Sequence, residues 1–264
     1  MNTCDNNSVG CRCDTPACEL KTASLPLQVR QPLESFTENL QAGLGDNLQS
    51  ITVVGSSLTD DFHPRQSDIN TVLILRKETV VALNAIASLA RLMRKKKITV
   101  PLLMTASYIE RSVDVFGIEF LDFQLIHQTI LGDDPFATLK FGKQDVRLQC
   151  ERELKAMLIR LRQGYVASAA NAGLVRDILI STAKGLTPLL RAMLWLKDME
   201  RPNTTAQTLH TAAQSFSLDL DCIKTIMSWR QQKRRIAPAE VQEIFAATYG
   251  VVERLSLIVD ELAV

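Results

Sequence analysis

A chain of 264 residues that is 46% hydrophobic holds one large domain or two small ones with a substantial core. Its 30 Lys+Arg against 29 Asp+Glu leave a formal net charge of +1, which gives no electrostatic footprint for nucleic acid. No apolar run approaches the roughly 20 residues that cross a bilayer, and no basic-then-apolar leader opens the chain, so a cytoplasmic protein without a membrane anchor is expected.

Helix should dominate, because Leu and Ala are frequent while glycines number 11 and tyrosines 3. Residues 1–25 read as a tail carrying Cys4, Cys11, Cys13 and Cys18. As thiolates these suit zinc. Their spacing matches no common zinc module, and the polar segment around them has little to pack, so a reduced, disordered tail is the competing expectation. Cys150 and Cys222 are expected as buried free thiols in helices.

Leu33, Phe36, Leu40 and Leu44 predict a helix over 32–44, with Pro32 near its first turn. Ile51 to Val54 predicts a strand, 55–67 a polar loop, and Thr71 to Leu75 a second strand. A helix follows over 78–94, closed by Arg94-Lys95-Lys96-Lys97, where cations suit the dipole. Val100 to Met104 predicts a third strand, 105–112 a short helix, and 117–126 a fourth strand bearing Glu119 and Asp122. That order predicts a small mixed α/β layer. Past Gly132-Asp133-Asp134-Pro135 the pattern becomes helical, with helices over 145–166, 174–198, 205–216 and 219–232 and a last one from Pro238. Gly185 and Pro188 predict a break or kink in the second of these. The fold class is therefore α+β: a tail (1–25), a mixed-sheet domain (26–137) and an all-α helical bundle (138–264).

Chemistry is suggested by Gly55-Ser56, followed by Ser67-Asp68-Ile69-Asn70. A Gly-Ser turn lets backbone N–H groups and a hydroxyl approach phosphate oxygens, and residues 68 and 70 of a strand share a face. An ordinary turn and a strand-opening Asp are the plain alternative. Glu119 and Asp122 have opposite parity in the expected strand, and an isolated buried carboxylate there needs a partner or a metal. Asp122 reads equally as an edge acid facing water, and Asp60 and Asp61 read as solvated turn acids.

These motifs resemble the nucleotidyltransferase superfamily that includes DNA polymerase beta and the aminoglycoside nucleotidyltransferases. The stretch Glu119-Phe120-Leu121-Asp122 and then Gly132-Asp133-Asp134-Pro135 looks like an uncharacterised bacterial branch. The resemblance implies that Gly55, Ser56 and Ser67 hold the triphosphate of an NTP. It makes Asp68 and Glu119 the catalytic acids, and Asp68, Asn70 and Glu119 the ligands of Mg²⁺, moving a nucleoside monophosphate to a hydroxyl acceptor. Asn70 departs from the pattern, which has a second Asp there, and an amide gives up a full negative charge. A degenerate nucleotide-binding or antitoxin-like protein-interaction module is thus the rival expectation. Arg152, with Lys155 and Arg162 on one helix face, is the expected bundle contact to phosphate, against a solvated face with a Glu151–Lys155 pair. Lys233-Arg234-Arg235 lacks the aromatic platform of a nucleic-acid site.

Overall fold

The structure, a computed structural model, describes residues 20–64, 66–229 and 236–263. The four N-terminal cysteines and the Lys233-Arg234-Arg235 run lie outside the described residues.

Two β-branched runs form the centre of a four-stranded sheet. β1 (Leu48–Val54) and β2 (Asn70–Leu75) pair antiparallel, with Val54 opposite Asn70. β3 (Leu102–Met104) adds parallel to β2, and β4 (His127–Leu131) adds antiparallel to β1, giving the order β3-β2-β1-β4. Period-two alternation sends Ile51, Val53, Leu73 and Leu75 to one face. There they pack with α1 (Leu27–Leu44), α2 (Val80–Ser88) and α3 (Ala90–Lys96). Val54, Val72 and Ile74 face the other way, onto Ile109 of α4 (Ala106–Glu110), Phe120 of α5 (Gly117–Leu125) and Phe136.

The bundle follows as α6 (Lys143–Ala167), α7 (Ala172–Leu196), α8 (Thr205–Phe216), α9 (Asp221–Trp229) and α10 (Pro238–Glu261). Leu154, Leu158 and Leu161 of α6 meet Leu179, Leu186 and Leu190 of α7 and Val252, Leu255 and Val259 of α10 in one apolar core. Asn171 and Thr204 cap α7 and α8 by accepting from backbone N–H groups. No helix among the described residues is long and apolar enough to cross a membrane. Cys150 and Cys222 are buried and free, and burial, with the Glu119 charge adding, pushes the Cys150 thiol up to about 12.

Four expectations are corrected. Residues 117–125 form helix α5, not a strand. Ile118 and Leu121 of α5 face the bundle core while Phe120 faces the sheet, so the segment is apolar on two sides. The fourth strand instead starts at His127, where a polar trio hid it. α1 begins at Leu27, which puts Pro32 inside it, and the helix expected over 78–94 divides at Leu89. α7 runs continuously through Gly185 and Pro188, so of the expected break or kink the break does not occur; the missing N–H at Pro188 leaves the Lys184 carbonyl without its usual helical donor.

The turn after β4 is stapled by Asp134. Its Oδ1 accepts from the N–H groups of Phe136 (2.9 Å) and Ala137 (3.2 Å), and its Oδ2 pairs with His127 Nε2 (2.8 Å). Partial burial pushes this carboxyl up, but the His127 contact and the two amides outweigh it and hold it below the ordinary 3.8. A depressed carboxyl stabilises above its unfolded value, and that stabilisation fades as pH falls through the lower folded value. Asp134→Asn keeps an oxygen for both amides and loses the charge. Urea titration at pH 6 should therefore show a loss under about 1 kcal/mol, because the side chain is 36% exposed, and the loss should shrink as the pH falls below the ordinary 3.8. A difference that grows in acid would contradict this account.

Candidate functional site

β1 ends at Val54, and the chain turns at once through Gly55–Leu58, a single 3-10 turn. Gly55 adopts φ +77°, a conformation that favours glycine. Its N–H donates to the Ile126 carbonyl (3.1 Å), tying the turn to the end of α5. The turn opens onto a cavity of about 810 Å³ between the sheet and α7, α8 and α9, within the size range of small-molecule sites.

Gly55, Ser56, Ser67, Asp68 and Asn70 all line this cavity. Asp68 is exposed there and makes no hydrogen bond or ion pair among the described residues. The Asn70 oxygen accepts from Thr99 Oγ1 (3.0 Å), and Ser67 Oγ accepts from the His63 N–H (3.0 Å). Glu119 does not line the cavity: it lies on the first turn of α5, where its Oε2 accepts from Gln149 Nε2 (3.0 Å). Arg152 is also elsewhere, exposed on α6 beside Glu153 (3.3 Å), and the Glu151–Lys155 pair is formed at 2.6 Å.

Asp61 is engaged across the cleft. Its Oδ2 accepts from the Thr205 N–H at the start of α8 (2.7 Å). Asp122 faces the cavity on α5 and meets Arg191 of α7, with Nη1 to Oδ1 at 2.8 Å. The Arg191 side chain is 7% exposed. Its Nε donates to the Pro202 carbonyl (2.9 Å) and Thr208 Oγ1 (3.2 Å), and its Nη2 to the Asn203 carbonyl (2.9 Å). Arg201 Nη1 donates to the Leu121 carbonyl (2.8 Å), so the segment between α7 and α8 is sewn to α5 as well. Sequence reasoning missed Arg191, Lys184, Lys224 and Asn203 as cavity residues. One signal was available: Lys184, Thr187, Pro188 and Arg191 interrupt a strongly apolar helix at spacings that share a face.

The implied Mg²⁺ meets a poor donor set. Two close cations need several converging carboxylates to offset their repulsion. Here Glu119 is outside the cavity and Asn70 is neutral; of the four carboxylates in the lining, Asp122 and Asp61 already serve Arg191 and Thr205, which leaves Asp60 and Asp68. Among the described residues no group of three or more His, Cys, Asp or Glu side chains is gathered to hold a metal ion. These residues do not fit a two-metal centre.

No family model matches the chain, and no curated protein does. Solved structures do match. One is spectinomycin adenyltransferase AAD(9) from Enterococcus faecialis, in a structure with ATP and spectinomycin. It superposes with a TM-score of 0.56 at 12% identity, over 85% of this chain and 98% of that one. The chain's mixed sheet and helices thus share the overall fold of that adenyltransferase.

Proposed function

We propose that the cavity binds a nucleoside triphosphate, in a cytoplasmic protein whose α/β domain (26–137) and helical bundle (138–264) form its two walls. The observation that carries this reading is one cavity lined by the Gly55-Ser56 turn, Asp68 and Asn70 from the sheet side and by Lys184 and Lys224 from the bundle. The turn offers backbone N–H groups to phosphate oxygens beyond Gly55, whose own N–H is already used. Lys224 leans on Asp221 (2.7 Å), whereas Lys184 makes no ion pair among the described residues. Lys184 is therefore the cation assigned to the triphosphate. ATP in the AAD(9) structure supports the same ligand class for this chain.

Nucleotidyl transfer to a hydroxyl is the second reading, and Asp68 favours it. An unpaired carboxylate beside the phosphate turn is suited to take the proton of an attacking hydroxyl. The incomplete acid set favours binding over transfer.

Titration calorimetry with ATP, and pyrophosphate release with each nucleoside triphosphate, test both readings. Wild type should bind ATP, Lys184→Ala should weaken binding about tenfold, and wild type should release no pyrophosphate. Failure of wild type to bind any nucleoside triphosphate overturns the reading. Release by wild type that disappears in Asp68→Ala establishes transfer instead, and release gained only by Asn70→Asp identifies a degenerate transferase site.

A further inference from the structure

Resting on the nucleoside triphosphate reading, we infer that Asn203 reads the edge of the nucleobase and that Arg191 is its positioning residue. Asn203 lines the cavity in the short segment between α7 and α8. It is exposed, and its side-chain amide makes no hydrogen bond among the described residues. Pro188, Ala206 and Leu209 supply apolar surface on the bundle side of the same cavity. Apolar surface together with an amide unpaired among the described residues suits a planar heterocycle. Such surface covers a ring face, and the amide supplies an acceptor and a donor side by side for the ring edge.

A free side chain reads an edge only when its backbone is fixed, and the Arg191 guanidinium fixes it. One planar fork takes the carbonyls of Pro202 and Asn203, the Thr208 hydroxyl and the Asp122 carboxylate together. Lysine has a single ammonium and cannot span that geometry. On the far side of Asn203, the Thr205 N–H is held by Asp61. The base-reading residue is thus clamped from both flanks, once by α7 and once by the loop after the phosphate turn.

The test compares ATP with purine riboside triphosphate, which keeps the ring and phosphates but lacks the 6-amino donor. Calorimetry on the full chain should find ATP bound about five- to tenfold tighter by wild type, the worth of one hydrogen bond. Asn203→Ala should bring the two ligands within twofold and leave the melting temperature unchanged. Arg191→Lys should collapse the same ratio, and Arg191→Lys with Asn203→Ala should bind ATP no more weakly than Asn203→Ala alone. A purely structural Arg191 would instead give additive losses. Should Arg191→Lys fail to fold by circular dichroism, Thr208→Val removes one of its partners and should lower the ratio in the same direction. Equal binding of both ligands by wild type, or a ratio that survives in Asn203→Ala, overturns the inference while leaving the nucleotide reading intact. If wild type binds neither ligand, the nucleotide reading itself falls and this inference with it.

Discussion

Arg191→Met should lower stability by about 3 to 5 kcal/mol, the usual result of removing one partner from a buried ion pair. Methionine fills much of the same space but offers no donor. Asp122 is then left with a charge at 20% exposure, the Asn203 carbonyl loses its donor, and the Pro202 carbonyl keeps only the Thr208 hydroxyl. For a chain of this size each kcal/mol moves the melting temperature by about 2–4 °C. The expected fall is therefore about 10 °C in a thermal scan, with the urea midpoint shifting in step. Asp122→Leu added to Arg191→Met should recover part of the loss, since replacing both members of a pair removes the stranded charge. Recovery stays partial because the Asn203 carbonyl remains without its guanidinium donor. A loss under about 1 kcal/mol for Arg191→Met would mean that the four bonds to this guanidinium contribute little.

Gly132→Ala should be comparably damaging for a different reason. Gly132 follows β4 at φ +74°, and a Cβ there would lie 2.0 Å from the Gln49 carbonyl oxygen and 3.1 Å from Ser50 Cα. Those atoms belong to β1, the strand between β2 and β4, and cannot turn aside as a side chain does. Either β4 separates from β1 or β1 shifts, and β1 leads directly into the Gly55 turn. About 3 kcal/mol or more of lost stability is expected by urea titration, with weakened ATP binding at temperatures where the variant is still folded. A melting temperature within 2 °C of wild type would show that the chain passes Gln49 less closely than described.

The contrast between these two positions mirrors what the sequence revealed and what it withheld. β1 and β2 are legible because Ile51 to Val54 and Thr71 to Leu75 are short β-branched, apolar runs bounded by polar loops, as strands buried on both faces are. The longer bundle helices α6, α7 and α10 are legible because their apolar residues repeat at helical spacing over many turns. Gly55, Ser56, Asp68 and Asn70 can be grouped from spacing alone, since a turn, a loop and the start of the paired strand bring them to one end of the sheet. α5 was illegible because its apolar residues serve two cores at once, and a short segment apolar on both sides looks like a buried strand. Taken as a strand, the segment leaves Glu119 and Asp122 on opposite faces; as a helix it puts Asp122 in the cavity, with its partner 69 residues on. No local pattern announces such a pair. Only the occurrence of an arginine within the apolar run of α7 hints that something charged must meet it.

The bond from Asp61 to Thr205 joins groups 144 residues apart in the chain, and the cavity walls are drawn from equally distant stretches. Neither the sheet nor the bundle owns the cavity, so whatever occupies it behaves as a cross-link between them. Saturating ligand at about 100 times its dissociation constant adds roughly 2.7 kcal/mol to the assembled form by mass action. A collection of unlabelled small molecules can therefore be sorted by melting temperature alone, with no knowledge of the reaction, because this architecture converts occupancy directly into heat resistance.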